Sequence, residues 1–232
     1  MRYHVSCHLC SGKDAKQFTI TVNPSNEGVY VVTCPKGHSF RIDVLSHHFQ
    51  KLFENGIHAL SDKYFVESFV SFVTCYERFI EYFLNIIFLS KGTPDTVFKE
   101  GWKEMAKQSE RQLGAFIIIH LQEFGRKAIL INPELRNKVI HQGYLPTEQD
   151  CIKFGNAVLN FIRPIISDIK SNKIFEDEML RSVNNTGYFE DREITVHYMP
   201  YQLFAINRPF DQTDDKSIED FLKDQLAIKN RA

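Results

Sequence analysis

Cys7-His8-Leu9-Cys10 and Cys34-Pro35-Lys36-Gly37-His38 place a C-x2-C pair and a C-x3-H pair near the start of the chain. Tetrahedral zinc takes thiolate and imidazole ligands that converge from tight turns, so Cys7, Cys10, Cys34 and His38 form a candidate ligand set. Four protein ligands leave no open position on the ion, and the expected role is therefore a structural zinc. Gly37 suits the second turn, because a loop that wraps a metal often needs positive φ. His4 and His8 compete with His38 for the fourth position, and spacing alone does not choose among them.

A second group, Arg136-Asn137-Lys138-Val139-Ile140-His141, carries different chemistry. A neutral histidine can take the proton from an RNA 2′-hydroxyl, while an arginine holds the phosphate and the charge that develops on it. No metal is needed for that transfer, and its products are a 2′,3′-cyclic phosphate, or a 3′-phosphate after hydrolysis, and a 5′-hydroxyl. At about 100° per residue His141 lies over Asn137, whereas Arg136 is turned about 140° from His141. One copy is thus a splayed pair, and a compact site forms more naturally from two copies across a two-fold axis. The chain offers no acidic cluster suited to a two-metal nuclease.

The elements that must position these groups differ along the chain. Phe18–Val22 and Val29–Thr33 are short β-rich runs flanking the turn-prone segment 23–28, which predicts a hairpin joining the two Cys pairs. From Val44 the period becomes helical, predicting helices over 44–60 and 62–89, the second ended by Ser90-Lys91-Gly92-Thr93-Pro94. One long or broken helix follows over 96–124. A short one then runs from Pro133, suited to a first-turn position, to Gly143. Thr147 and Asp150 are spaced as a capping box and open a helix running to about Ile169. After Lys173 come a turn at 184–187, a strand over 193–198 and a terminal helix over 217–228. The fold class is α+β, mainly helical. A zinc ribbon over 1–43 precedes a helical domain over 44–175, and a short strand–helix extension occupies 176–232.

Composition sets outer bounds. With 232 residues, 43% of them hydrophobic and 25% charged, the chain can bury a full core. A formal net charge of -1 means that any nucleic-acid contact must come from a local patch, such as Lys13, Lys16, Lys36 and Arg41 near the ribbon's ligands. Five cysteines and a start without an apolar signal core point to a reducing, cytoplasmic setting. Segment 64–89 is long enough to cross a bilayer, but Glu67, Glu77, Arg78 and Glu81 recur along it and make it an amphipathic helix. Cys75 and Cys151 fall inside helical apolar patterns and read as core.

The run Leu135 to Gly143, followed by Pro146-Thr147 and a helix carrying Phe154, Val158 and Phe161, resembles the C-terminal half of HEPN domains. Their R-x4-6-H motif, with a polar residue after the arginine, matches Arg136, Asn137 and His141. Cys75-Tyr76-Glu77-Arg78-Phe79-Ile80-Glu81-Tyr82-Phe83 is similar to the acidic, aromatic first long helix of that family. The resemblance spans Val44 to Ser171 and leaves the ribbon and the tail outside it. It implies a helical HEPN bundle acting as a homodimer and cleaving RNA. Arg136 and His141 would be catalytic, Asn137 supporting, and Glu77 a further residue lining the site. Family members act as toxins or phage-defence effectors, which implies an antitoxin or defence-system partner. Some keep the fold without cleaving RNA, so the alternative is a dimerisation or antidote module whose ribbon binds nucleic acid or protein.

Overall fold

A computed structural model describes residues 2–10, 17–23, 28–44, 46–184, 194–197 and 215–229. Four strands precede the helices: β1 Arg2–Ser6, β2 Gln17–Thr21, β3 Val29–Thr33 and β4 Ser39–Val44. The expected β2–β3 hairpin is not formed. β1 pairs antiparallel with β2, with Tyr3 opposite Ile20, and β3 pairs antiparallel with β4, with Val31 opposite Arg41. Alternating β-rich runs fit either partner equally well, and the choice falls to the two Cys turns, each of which sits at a strand end. Tyr3, Val5, Val32, Phe40 and Ile42 form the ribbon's own small core.

The body is built from α1 His48–Ser61, α2 Phe65–Ser90, α3 Asp95–Met105, α4 Ser109–Phe124, α5 Glu134–Gln142, α6 Glu148–Ser171 and α7 Lys173–Asn184. The region 96–124 is therefore two helices, broken at 106–108, and α7 is a helix that the periodicity did not announce. Thr147 caps α6 as its sequence predicts: its Oγ1 accepts from the Asp150 N–H at 3.2 Å, and Asp150 Oδ2 accepts from the Thr147 N–H at 2.9 Å.

Phenylalanines lock the bundle. α2 sends Phe72 against Phe53 of α1 at 5.2 Å, Phe69 against Phe154 of α6 at 4.6 Å, and Phe83 against Phe116 of α4 at 5.0 Å between centroids. Each such ring removes on the order of 150–250 Å² from water and adds edge or offset contacts, so α2 is the central pillar. Cys75 and Cys151 are fully buried within this core. No helix among the described residues is long and apolar enough to cross a membrane.

The C-terminal segment is woven into both parts rather than appended to them. β5 Ile194–His197 pairs parallel with β4, and α8 Ile218–Lys229 sets Phe221 against Phe53 at 5.9 Å. Ile218 lies over Gly155 of α6, where a Cβ would come within 2.7 Å of its Cδ1, so the absent side chain is what lets α8 approach. The turn expected at 184–187 lies, beyond Asn184, outside the described residues.

Candidate functional site

The ribbon's two turns converge. β1 ends at Ser6, and the chain then folds back so that the Cys10 N–H donates to the Cys7 carbonyl at 3.2 Å. β3 and β4 are joined by 34–38, where the Cys34 N–H donates to the His38 carbonyl at 2.9 Å and the Gly37 N–H to the Cys34 carbonyl at 2.8 Å. Gly37 takes φ +87°, the left-handed conformation that this return requires.

As a result, Cys7, Cys10, Cys34 and His38 bring their donor atoms within 4.8 Å of one another. His38 Nδ1 stands 3.7, 3.4 and 3.6 Å from the sulfurs of Cys7, Cys10 and Cys34, and the Cys10 and Cys34 sulfurs are 4.0 Å apart. A tetrahedron with metal–sulfur bonds of about 2.3 Å and a metal–nitrogen bond of about 2.0 Å has edges of about 3.8 Å between sulfurs and about 3.5 Å from sulfur to nitrogen. These four separations are close to the edges of a closed tetrahedral site, and the set can hold a metal ion. The competition for the fourth position is resolved in favour of His38, through Nδ1. His8 instead packs its ring edge-on against Phe40 at 5.2 Å, and His4 stands on β1 opposite Thr19.

Burial acts to raise the Cys34 thiol, yet backbone N–H groups of His38 and Lys36 overcome it and hold the group down to about 7. Cys10 is pushed up to about 11 by burial and by hydrogen bonding to Cys7 and Cys34. The Cys34 thiol is therefore ready to ionise near neutral pH, and a bound cation would draw Cys10 into the thiolate form as well.

The second candidate site lies on α5. Arg136 is half-buried, and three of its five N–H groups are committed. Nη2 donates to Glu77 Oε1 of α2 at 2.9 Å and to Ser109 Oγ, the first residue of α4, at 3.0 Å, while Nη1 donates to Asn137 Oδ1 at 3.2 Å. Three of the four residues singled out by sequence, Arg136, Asn137 and Glu77, are thereby in contact. Ser109 was not anticipated, and nothing local to it signals a partner that comes 27 residues later.

Tyr76 also borders the arginine. Burial pushes its phenol up to about 12, with Arg136 pulling the other way, so it keeps its proton.

His141 is exposed and has no hydrogen-bond partner among the described residues. It shares α5 with Arg136 but points to water while the arginine turns inward, as the 140° offset of an α-helix requires. Gly143 closes α5 at φ +71°, and the Tyr144 N–H reaches back to the Lys138 carbonyl at 3.1 Å. The Tyr144 hydroxyl then donates to Asp150 Oδ2 at 3.0 Å, which fixes the end of α5 to the start of α6.

The geometry thus offers an oriented guanidinium and a solvent-facing imidazole on one short helix. No family model, curated protein or solved structure matches this chain.

Proposed function

We propose that this protein is a metal-independent endoribonuclease of HEPN type, acting in the cytoplasm as a toxin or phage-defence effector, with a structural zinc in its ribbon. The observation that carries the reading is the seating of Arg136 by Glu77, Ser109 and Asn137, with His141 exposed on the same helix. A guanidinium whose orientation is fixed beforehand can meet a phosphate without reorganising. His141 serves as the general base toward the 2′-hydroxyl, and Arg136 neutralises charge on the phosphoryl oxygens.

A homodimer completes this reading, because a single Arg136–His141 pair is splayed. Ile140, Tyr144 and Leu145, which bracket His141 along the chain, are exposed and supply apolar surface for such a contact. Zinc is favoured over other ions by the donor set of three thiolates and one imidazole at tetrahedral spacing.

The alternative, a non-catalytic dimerisation or antidote module, draws on the same contact. An arginine that gives three N–H groups to its own protein also suffices as a purely structural tie between α2, α4 and α5. The test uses a defined RNA in EDTA with wild type, Arg136→Ala and His141→Ala, and a matching oligonucleotide carrying 2′-deoxyribose at each cut position. Cleavage by wild type alone, absent on the deoxy substrate and reduced about 100- to 10,000-fold in His141→Ala, is the expected outcome. A magnesium requirement, cutting of the deoxy substrate, or full activity in His141→Ala defeats the mechanism. A folded dimer that is inactive on every RNA favours the module.

A further inference from the structure

A cleft of about 1180 Å³ opens between the start of α1, α2, α3 and α7, and none of the residues assigned to cleavage lines it. Its volume exceeds the range of about 300–1,000 Å³ typical of a pocket for one small molecule. The walls are of two kinds. Phe49, Tyr82, Phe98 and Trp102 give an apolar bed, and Lys51, Arg78, Lys99 and Lys103 supply cations.

Three carboxylates also border the cleft, but each already has a cation. Glu81 pairs with Arg78, Asp95 with Lys99 at 2.5 Å, and Glu178 with Arg181 at 3.0 Å. Lys103 has no ion-pair partner among the described residues. His47 adds no charge at neutral pH, since burial beside Phe49 and Tyr82 pushes its imidazole down to about 3.

Position is the stronger argument. On α3, Asp95, Phe98, Lys99, Trp102 and Lys103 recur at i, i+3, i+4, i+7 and i+8, so one face of that helix forms the wall. On α2, Glu81 follows Glu77 by one turn, about 6 Å along the axis and on the same side. Glu77 holds Arg136. The other wall leads there too: beyond α3 come Lys107 and then Ser109, which also holds Arg136, with Arg111 one turn further along α4. Both walls therefore run from the cleft to the two groups that grip the arginine.

We infer that this cleft seats a single strand of RNA continuing away from Arg136, with phosphates against Lys99, Lys103 and Arg78. The inference rests on the nuclease reading for the identity of its polymer. Phe98 is the partly exposed ring of the lining, and a base stacked on it beside Lys99 and Lys103 meets the ring and cations that single strands meet in proteins that bind them. The lining's four cations and three carboxylates leave a formal charge of +1, with Glu178 paired from outside by Arg181, in a chain whose overall formal charge is -1.

The experiment measures binding separately from cutting. Lys99→Glu with Lys103→Glu is introduced into His141→Ala protein, and affinity for a short fluorescent single-stranded RNA is read by anisotropy across a salt series. Both lysines are exposed, so the fold is expected to hold, checked by thermal melting; Lys223→Glu on α8 is the control.

The expected result is a loss of at least about tenfold in affinity and a salt slope shallower by about one to two, with the control unchanged. Equal affinity in the double variant, or no RNA binding by folded protein, overturns the inference. So does binding of an acidic polypeptide, but not RNA, through these lysines, which would assign the cleft to a protein partner. Cleft-dependent binding without cleavage by His141-intact protein sinks the nuclease reading and leaves the cleft standing. Wild-type cleavage by the double variant without the His141 change does the opposite.

Discussion

The Cys/His cluster and the Arg136 helix put comparable numbers of polar groups to opposite structural uses. In the ribbon every donor comes from a turn of four or five residues, and the site needs only that two turns meet. On α5 the key arginine is oriented by α2 and α4, 59 and 27 residues away, so its geometry exists only once the bundle has packed. A locally encoded site should fail when its ion is removed. A globally encoded one should fail when its distant supports are cut.

The largest effect therefore belongs to the metal. Structural zinc contributes on the order of 10–16 kcal/mol of apparent binding energy in small domains that fold around it, and the ribbon's own core is a small cluster of eight buried residues among those described. Chelation, or Cys34→Ser, is expected to open β1 to β4 to proteolysis while the far-UV helical signal persists. Elemental analysis should return one zinc per chain before treatment. A metal-free ribbon that stays protected would show that its apolar core suffices and would erase the contrast.

Next comes the support of the arginine. The Arg136 and Glu77 side chains are 18% and 24% exposed, so their pair is only partly desolvated and should be worth less than a fully buried one. Glu77→Gln is expected to cost about 1–3 kcal/mol in urea denaturation, because a charged partner is lost from a semi-buried guanidinium. Cleavage should fall about tenfold or more, since Arg136 stays in place but loses its strongest orienting contact. Ser109→Ala should fall in the same direction by less. Equal losses of stability with undiminished cleavage would make the pair a strut and nothing more.

The same division explains what could be read from the sequence. C-x2-C with C-x3-H and the Thr147–Asp150 box are legible because donor and acceptor lie within one turn of each other, where spacing alone fixes geometry. The pairing of β1 with β2 was not, since the alternation in 18–22 and 29–33 fits any strand partner. Nor was the parallel pairing of β4 with β5, whose partners Arg41 and Ile194 meet only after the helices have turned the chain back. Glu77 was reached through a resemblance, not through any rule linking it to Arg136. That His38 rather than His8 joins the three cysteines has a reason visible only in packing: the His8 ring is used against Phe40.

The smallest and sharpest probe is a matched pair of glycines. Gly37 in the metal turn has φ +87° and Gly143 at the end of α5 has φ +71°, and a Cβ at either would meet nothing within 4 Å. Alanine at each position therefore changes backbone strain without a clash, at a cost of about 1 kcal/mol. In the ribbon that strain opposes the closed turn directly. It should appear as about a fivefold loss of metal affinity, read by competition with a chromophoric chelator, with the melting of the helical body unmoved. At Gly143 the same strain frays the last turn of α5, where His141 sits, while Arg136 stays gripped by Glu77 and Ser109. Cleavage should drop severalfold through kcat, and metal affinity should not change. If Gly37→Ala instead lowers cleavage as much as Gly143→Ala does, the ribbon and the α5 site are coupled through the body, and the separation between a local and a global site fails.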